Sequence, residues 1–211
     1  MIVLVDYKAG NLASVAKAFA SLGQVTRITG NPDVVAGASK IVLPGVGHFE
    51  STAALDRAGL RSAICDAIGR GVPFLGICLG MQWLYESSDE APGVRGLGAL
   101  RGSCAPFARE VKSPHVGWNT LRPRGRSRLL RGMDDDFFCY YTHSFRAPLG
   151  DETVGVTDYG GDFSGAVERD NIFGVQFHPE KSGAAGLAKT APWREGVSRA
   201  ARRVTRLMPK K

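Results

Sequence analysis

From its first residue the chain alternates wholly apolar runs with stretches of helical spacing. Ile2–Val5 is apolar throughout, as a strand buried on both faces is. Leu12, Val15, Ala16, Phe19 and Leu22 recur every three or four positions, which predicts a helix over Asn11–Leu22. Val25–Ile28 and Lys40–Leu43 are further strand candidates, the second running into Pro44-Gly45-Val46-Gly47-His48-Phe49. Helical spacing covers residues 49–70, with a break expected at Gly59. Val72–Ile77 is strand-like again, Cys78 follows, and Leu79–Ser87 reads as a helix. Strands separated by helices of roughly 10–15 residues predict an α/β domain: a mostly parallel open sheet flanked by helices.

The second half has a different texture. Gly, Pro and Arg are frequent between 92 and 132, and no long helical pattern appears there. Short strands are expected at Val116–Leu121, Phe137–Phe145, Thr153–Val156, Gly165–Glu168 and Ile172–Phe177, with Asp170-Asn171 as a hairpin turn lacking the favoured Gly. These predict additional antiparallel strands on the same domain. There is no internal repeat, and no linker separates two independent units.

Composition changes the picture in one respect. The 211 residues carry a formal charge of +7, which suggests a nucleic-acid binder. From Lys189 to Lys211, however, there are eight basic residues against one acid, Glu195, so that segment holds the whole excess and residues 1–188 are electrically balanced. A basic groove across the domain is thereby excluded. No apolar run reaches the roughly 18 residues of a membrane span, and no signal-peptide pattern precedes the first strand. Cys65, Cys78, Cys104 and Cys139 lie far apart without a C-x-x-C pair, so neither a metal site nor a disulfide framework is expected, and a reducing cytoplasm fits best.

The sharpest chemical feature is Gly76-Ile77-Cys78-Leu79-Gly80. A buried strand runs into a cysteine with glycines two before and two after it, and a helix follows at once. This is a thiol version of the nucleophile elbow. The tight turn strains the backbone of the nucleophile, side chains at the flanking positions would collide, and the helix N-terminus favours a thiolate. The Leu79 amide is then placed for a developing oxyanion. A buried structural cysteine beside a Gly-rich turn is the alternative. A thiol nucleophile needs a base, and a histidine base needs a carboxylate to fix its tautomer. Among four histidines, His178 closes an apolar strand in Val175-Gln176-Phe177-His178-Pro179-Glu180, and Glu180, two residues on, projects to the same side. His48, His115 and His143 lack such a carboxylate and read as structural or substrate-facing.

With these residues in view, the chain resembles the class I (triad) glutamine amidotransferases. Asp6–Val15, Leu43–Phe49, Pro114-His115-Val116-Gly117-Trp118-Asn119, Thr142–Phe145 and His178–Gly183 are similar to segments of the glutaminase subunits of imidazole glycerol phosphate synthases, over roughly residues 1–188. The resemblance implies that Cys78 attacks the glutamine side-chain amide, that His178 shuttles protons and that Glu180 orients His178. It implies an oxyanion site near Leu79 and the strand of Gly45, Val46 and Gly47. Glutamine would be held by Gly47, Gln82, Glu90, His143, Ser144 and Phe145, with Glu90 suited to the α-ammonium group unless it is only a solvated helix-end acid. The ammonia would pass to a cyclase partner, a (β/α)8 barrel, in a heterodimer. Trp118, Asn119, Tyr140 and Lys181 match positions at that interface, core packing being the alternative for Trp118 and Tyr140. No cofactor is implied.

Two departures stand out. Lys8 occupies a position where this family has a small residue. After Leu187 the chain continues into a basic stretch in which Val197, Ala200, Ala201, Val204, Leu207 and Met208 keep helical spacing opposite Arg199, Arg202, Arg203 and Arg206. Residues 189–211 are thus expected to be a separate amphipathic tail that rests on the domain or meets an acidic partner or nucleic acid. Other readings of the whole chain are a stand-alone thiol amidase, a subunit of another synthase, and a non-catalytic nucleic-acid binder. The intact Cys78, His178 and Glu180 and the neutral body argue against the last.

Overall fold

A computed structural model describes residues 1–130 and 137–182; the expected tail helix lies outside the described residues. The chain opens with β1 (Ile2–Val5), α1 (Leu12–Ala20) and β2 (Thr26–Thr29). α1 starts where Asn11 Oδ1 accepts from the Ser14 amide at 3.2 Å. A short α2 (Pro32–Ala36) follows, which apolar periodicity did not announce. Its start signal is local: the Asn31 side chain accepts from the Asp33 amide and Pro32 stands in the first turn. β3 (Lys40–Gly45) leads through a 3-10 turn over Phe49–Thr52 into α3 (Ala53–Arg57) and α4 (Leu60–Gly69). The break falls at Gly59, with φ of 68°. β4 (Phe74–Cys78) and α5 (Leu79–Gln82) form the elbow.

The helix expected over Leu79–Ser87 is only four residues long. Its continuation is pre-empted. The Trp83, Leu84 and Tyr85 carbonyls accept from the amides of Leu97, Leu100 and Gly98, and the Glu86 amide donates to the Gly102 carbonyl. A chain whose carbonyls are taken by a distant segment cannot use them for the next helical turn. The sequence from 86 onward instead forms a small separate sheet of β5 (Ser87–Ser88), β6 (Ser103–Pro106) and β9 (Phe145–Arg146).

The remaining strands are β7 (His115–Pro123), β8 (Phe137–His143), β10 (Thr153–Asp158), β11 (Asp162–Arg169) and β12 (Ile172–Val175). The segment expected as one strand over Phe137–Phe145 therefore breaks at Ser144 between β8 and β9. The main sheet has nine strands in the order β2-β1-β3-β4-β12-β11-β10-β7-β8. The first five are parallel and the rest antiparallel, so the mostly parallel α/β reading holds for the half that carries the elbow. Alternation divides the core: Ile2, Leu4, Val42, Leu75 and Ile77 face α1, while Val3, Val5, Ile41, Leu43 and Phe74 face the layer of α2, α3 and α4. No helix among the described residues is long and apolar enough to cross a membrane.

β3, β4 and β12 lie side by side and end together, with Gly45 opposite Cys78 and Val175 opposite Ile77. The carboxyl edge of a parallel sheet is where ligands bind in such folds. The β11–β12 hairpin that delivers His178 turns at Asp170, with φ of 50°, the role a glycine more often fills. Asn171 then ties the hairpin to the α4–β4 connection by donating to the Ile68 and Val72 carbonyls at 3.0 and 2.8 Å. Asn171→Ala leaves the half-buried Val72 carbonyl without this donor, while Ile68 keeps the Gly71 amide, and is expected to cost about 2 kcal/mol, read as a lower urea midpoint at unchanged slope.

Candidate active site

At the end of β4 the backbone of Cys78 takes φ 53° and ψ −108°, a strained conformation for a residue with a side chain. The flanking glycines are what make it feasible. A Cβ on Gly76 would run into the Gly80 carbonyl, and one on Gly80 into the Leu43 carbonyl, in both cases well inside contact distance. Gly45, in register with Cys78, is closed in by the Tyr7 hydroxyl, the Leu79 side chain and the Gly80 amide. The elbow is therefore a stack of backbones from β3, β4 and α5 with no room for side chains between them.

His178 reaches this point from β12. Its backbone amide donates to the Tyr140 carbonyl at 2.8 Å, which anchors the strand end to β8. Its ring is buried, and Nδ1 lies 2.7 Å from Glu180 Oε1. Nδ1 donates to the carboxylate, which turns the other ring nitrogen to the Cys78 side chain. Burial opposes a charge on this ring, but the Cys78 and Glu180 side chains outweigh it and raise the imidazolium to about 9. The expected Cys78, His178 and Glu180 are thus brought together in one hydrogen-bonded set.

A cavity of about 310 Å³ opens over the sulfur. Of the residues expected to hold substrate, Val46, Gly47, Leu79, Gln82, Glu90, His143, Ser144 and Phe145 lie on its wall, while Gly45 lies beneath it in β3. Glu90 is not a solvated helix-end acid. It sits half-buried in a turn and accepts the Phe49 amide at 2.8 Å, so one oxygen is spent on holding the 3-10 turn beside the cleft. Asn11 and Thr142 also line the wall and were not anticipated.

Gln176 was missed as well. It is fully buried, and its Nε2 donates to Cys78 Sγ at 3.7 Å while its Oε1 accepts from Gln82 Nε2 at 3.1 Å. Gln176 stands two residues before His178, whereas Glu180, two after it, reaches the ring from a 3-10 turn over Pro179–Ser182 and not, as expected, from extended backbone.

The residues expected at a partner interface divide. Trp118 packs edge-on against Tyr140, with ring centroids 5.8 Å apart, and Lys181 Nζ lies 5.5 Å from the Tyr140 ring centre while also bordering the cleft. Asn119 faces the other way. Strand alternation turns its side chain inward, where Nδ2 donates to the Asp158 carbonyl at 2.9 Å and to His115. Lys8 adopts φ 67°, and Asp6 holds both its amide and its ammonium at 2.9 and 3.0 Å, which explains how a lysine serves at a turn suited to a small residue.

The family model for class-I glutamine amidotransferases matches residues 3–191. The chain is a class-I glutamine amidotransferase. The protein of Deinococcus radiodurans named imidazole glycerol phosphate synthase subunit HisH is 45% identical over 202 residues, covering 93% of this chain and 94% of its own. The protein of the same name from Thermococcus kodakarensis is 50% identical over 194 residues, covering 89% and 95%. Among solved structures, PurLQS from Thermotoga maritima superposes with a TM-score of 0.73 at 20% identity over 98% of each chain, which shows a shared fold.

This amidotransferase keeps its buried histidines in opposite charge states. Burial drives His115 down to about 4 and His143 to about 3, against about 9 for His178. Below pH 6.5 the unfolded chain takes up protons that folded His115 and His143 refuse, so their contribution is present above 6.5 and lost as pH falls. His178 holds its proton more tightly when folded, so its contribution is present below 6.5 and lost as pH rises through about 9. Urea midpoints across this range are expected to peak near pH 6.5 and to decline on both sides, with the acid limb flattened in His115→Phe.

Proposed function

We propose that this chain hydrolyses glutamine through Cys78, His178 and Glu180 and delivers the ammonia to a cyclase partner, as the glutaminase subunit of an imidazole glycerol phosphate synthase. The observation that carries the reading is the buried Cys78–His178–Glu180 set at the floor of a cleft whose wall bears Gln82 and Glu90. The names of the relatives support the synthase assignment.

The chemistry follows from the geometry. The sulfur attacks the side-chain carbonyl of glutamine, and the charge that develops on oxygen is met by the Leu79 amide, which has no intrahelical partner at the first position of α5. Gly45, Val46 and Gly47 form the facing strand. The imidazolium of His178 gives its proton to the leaving nitrogen, so that ammonia departs and a thioester remains on Cys78. Neutral His178 then takes a proton from water, the resulting hydroxide displaces the sulfur, and glutamate leaves with the thiolate restored. Glu180 fixes the ring and stabilises its charged form throughout. His143, Ser144 and Phe145 hold the substrate beside Gln82, and the half-buried Glu90 draws its α-ammonium group. No step needs a metal or cofactor.

The partner is a (β/α)8-barrel cyclase that uses ammonia to make imidazole glycerol phosphate and aminoimidazole carboxamide ribotide, in a heterodimer. We assign its contact to the face bearing Trp118, Tyr140 and Lys181, because Lys181 borders both that face and the cleft. Residues 1–188 are the amidotransferase domain and the site of action is the cytoplasm.

Two experiments test this. In the complex, Cys78→Ala is expected to abolish glutamine-dependent synthesis and to leave synthesis from added ammonia at the wild-type rate; loss of both would overturn the division of labour. The pH profile of glutamine hydrolysis is expected to fall through about 9 as His178 loses its proton. Glu180→Gln is expected to move that limb to lower pH and to lower turnover by about 10²-fold, and a limb that stays in place would remove Glu180 from the triad.

A further inference from the structure

A continuous hydrogen-bonded path crosses the domain from β7 to the nucleophile, and its direction is fixed by chemistry. The Phe145 carbonyl can only accept, and His143 Nδ1 lies 2.9 Å from it, so Nδ1 carries the hydrogen. Burial keeps His143 neutral, so its Nε2 is an acceptor. His115 Nδ1, 3.1 Å away, must therefore be the donor. His115 is neutral for the same reason, and its Nε2 accepts from Asn119 Nδ2 at 3.3 Å. The Asn119 amide cannot flip, because Nδ2 also donates to the Asp158 carbonyl and Oδ1 accepts from the Thr120 amide at 2.8 Å. Each member has one permitted orientation.

The path continues beyond the Phe145 carbonyl. That oxygen also accepts from Gln82 Nε2 at 2.8 Å. The second hydrogen of Gln82 Nε2 goes to Gln176 Oε1, and Gln176 Nε2 donates to Cys78 Sγ. With both of its hydrogens committed, the Gln82 amide has only its oxygen left for a ligand in the cleft. The orientation of this substrate-facing group thus depends on a carbonyl that is itself held by His143.

We propose that His115 is a positioning residue for the glutamine cleft: by donating to His143 Nε2 it holds that ring against the Phe145 carbonyl, and through this carbonyl it holds Gln82 and Gln176 in the orientation that faces Cys78. His115 does not border the cleft, and it is secured independently of its hydrogen bonds. Its ring is stacked between Tyr159 and Tyr141, with centroids 3.9 and 4.8 Å away and planes within 18°. Replacement by phenylalanine therefore keeps the stack and deletes only the relay. His143 Nε2 would then be a buried acceptor without a donor; Nδ1 keeps its hydrogen, since the Phe145 carbonyl accepts it, but the ring loses the contact that holds it in place. Replacement by glutamine restores a donor toward His143 and an acceptor toward Asn119.

The proposal rests on the assignment of the cleft to glutamine, and its test has two readouts. In the complex with the cyclase, His115→Phe is expected to raise KM for glutamine about tenfold, with kcat within about threefold of wild type and ammonia-driven synthesis unchanged. His115→Gln is expected to keep KM within about threefold of wild type. Nitrogen-15 spectra of the His143 ring in the full chain are expected to show Nδ1–H in all three proteins, with the Nε2 resonance moved downfield in His115→Phe alone, where that nitrogen has lost its donor. A wild-type KM in a folded His115→Phe, equal KM values in the two variants, or an Nε2–H tautomer in the wild type would each overturn the proposal. If His115→Phe does not fold, the wild-type spectrum and His115→Gln still decide it. If the wild-type complex hydrolyses no glutamine, the proposed function falls, while the ring spectra continue to report on the relay.

Discussion

Everything in the candidate site depends on how closely three backbones approach at the elbow. β3 and β4 pair in parallel up to Gly45 and Cys78, and the first turn of α5 folds back onto both. The approach is closed by carbonyls: Gly80 covers Gly76, and Leu43 lies over Gly80, with only hydrogens at the contact. Close packing of this kind does not deform gradually. It fixes Cys78 at positive φ, aims its sulfur at the end of β12, and presents the Leu79 amide to the same space. The strain at Cys78 persists because the glycines, the strand pairing and the helix start all require it.

The second constraint is electrostatic. Three histidines buried in one domain are held in different states by what surrounds them. His178 is flanked by a carboxylate and a thiol and keeps its proton well above neutrality. His115 and His143 meet aromatic faces, a carbonyl and each other, and lose theirs well below it. A charged ring can deliver a proton to a leaving group, whereas a neutral ring with a fixed tautomer can only orient. The division into charged and neutral rings is set by neighbours, since the residue type is the same.

The elbow and the grouping of Cys78, His178 and Glu180 were legible in the sequence because their rules are local. Glycines two before and two after a cysteine state their geometry without knowledge of the fold, and Glu180 stands close enough along the chain to reach His178, although it does so from a 3-10 turn and not from the extended backbone expected. The alternating strands and helices of the first half were legible for the same reason. The length of α5 was not, because the competition for the Trp83 to Tyr85 carbonyls comes from residues 97–100. Glu90 was ambiguous because its partner, the Phe49 amide, stands 41 positions earlier. Gln176 meets Cys78 through the pairing of β12 with β4, and the His115–His143 pair exists only through the register of β7 with β8; neither contact is written in the local sequence.

That register also explains why one short motif can serve two purposes. In β7, Val116 and Trp118 point to one side and His115 and Asn119 to the other, as the two-residue period of a strand requires. Trp118 meets Tyr140 on the outer face, directly across the ladder. His115 meets His143, the paired residue three positions further along β8, on the inner face. The face proposed for the cyclase and the relay proposed for the cleft are thus the two sides of one backbone. A strand is stiff along its length and pinned here at both faces. A shift of β7 large enough to reseat Trp118 against Tyr140 must also change the 3.1 Å separation of the two imidazoles. A coupling between the proposed interface and the cleft would then need no moving lid or intermediate element, because the pleat of β7 joins the two faces.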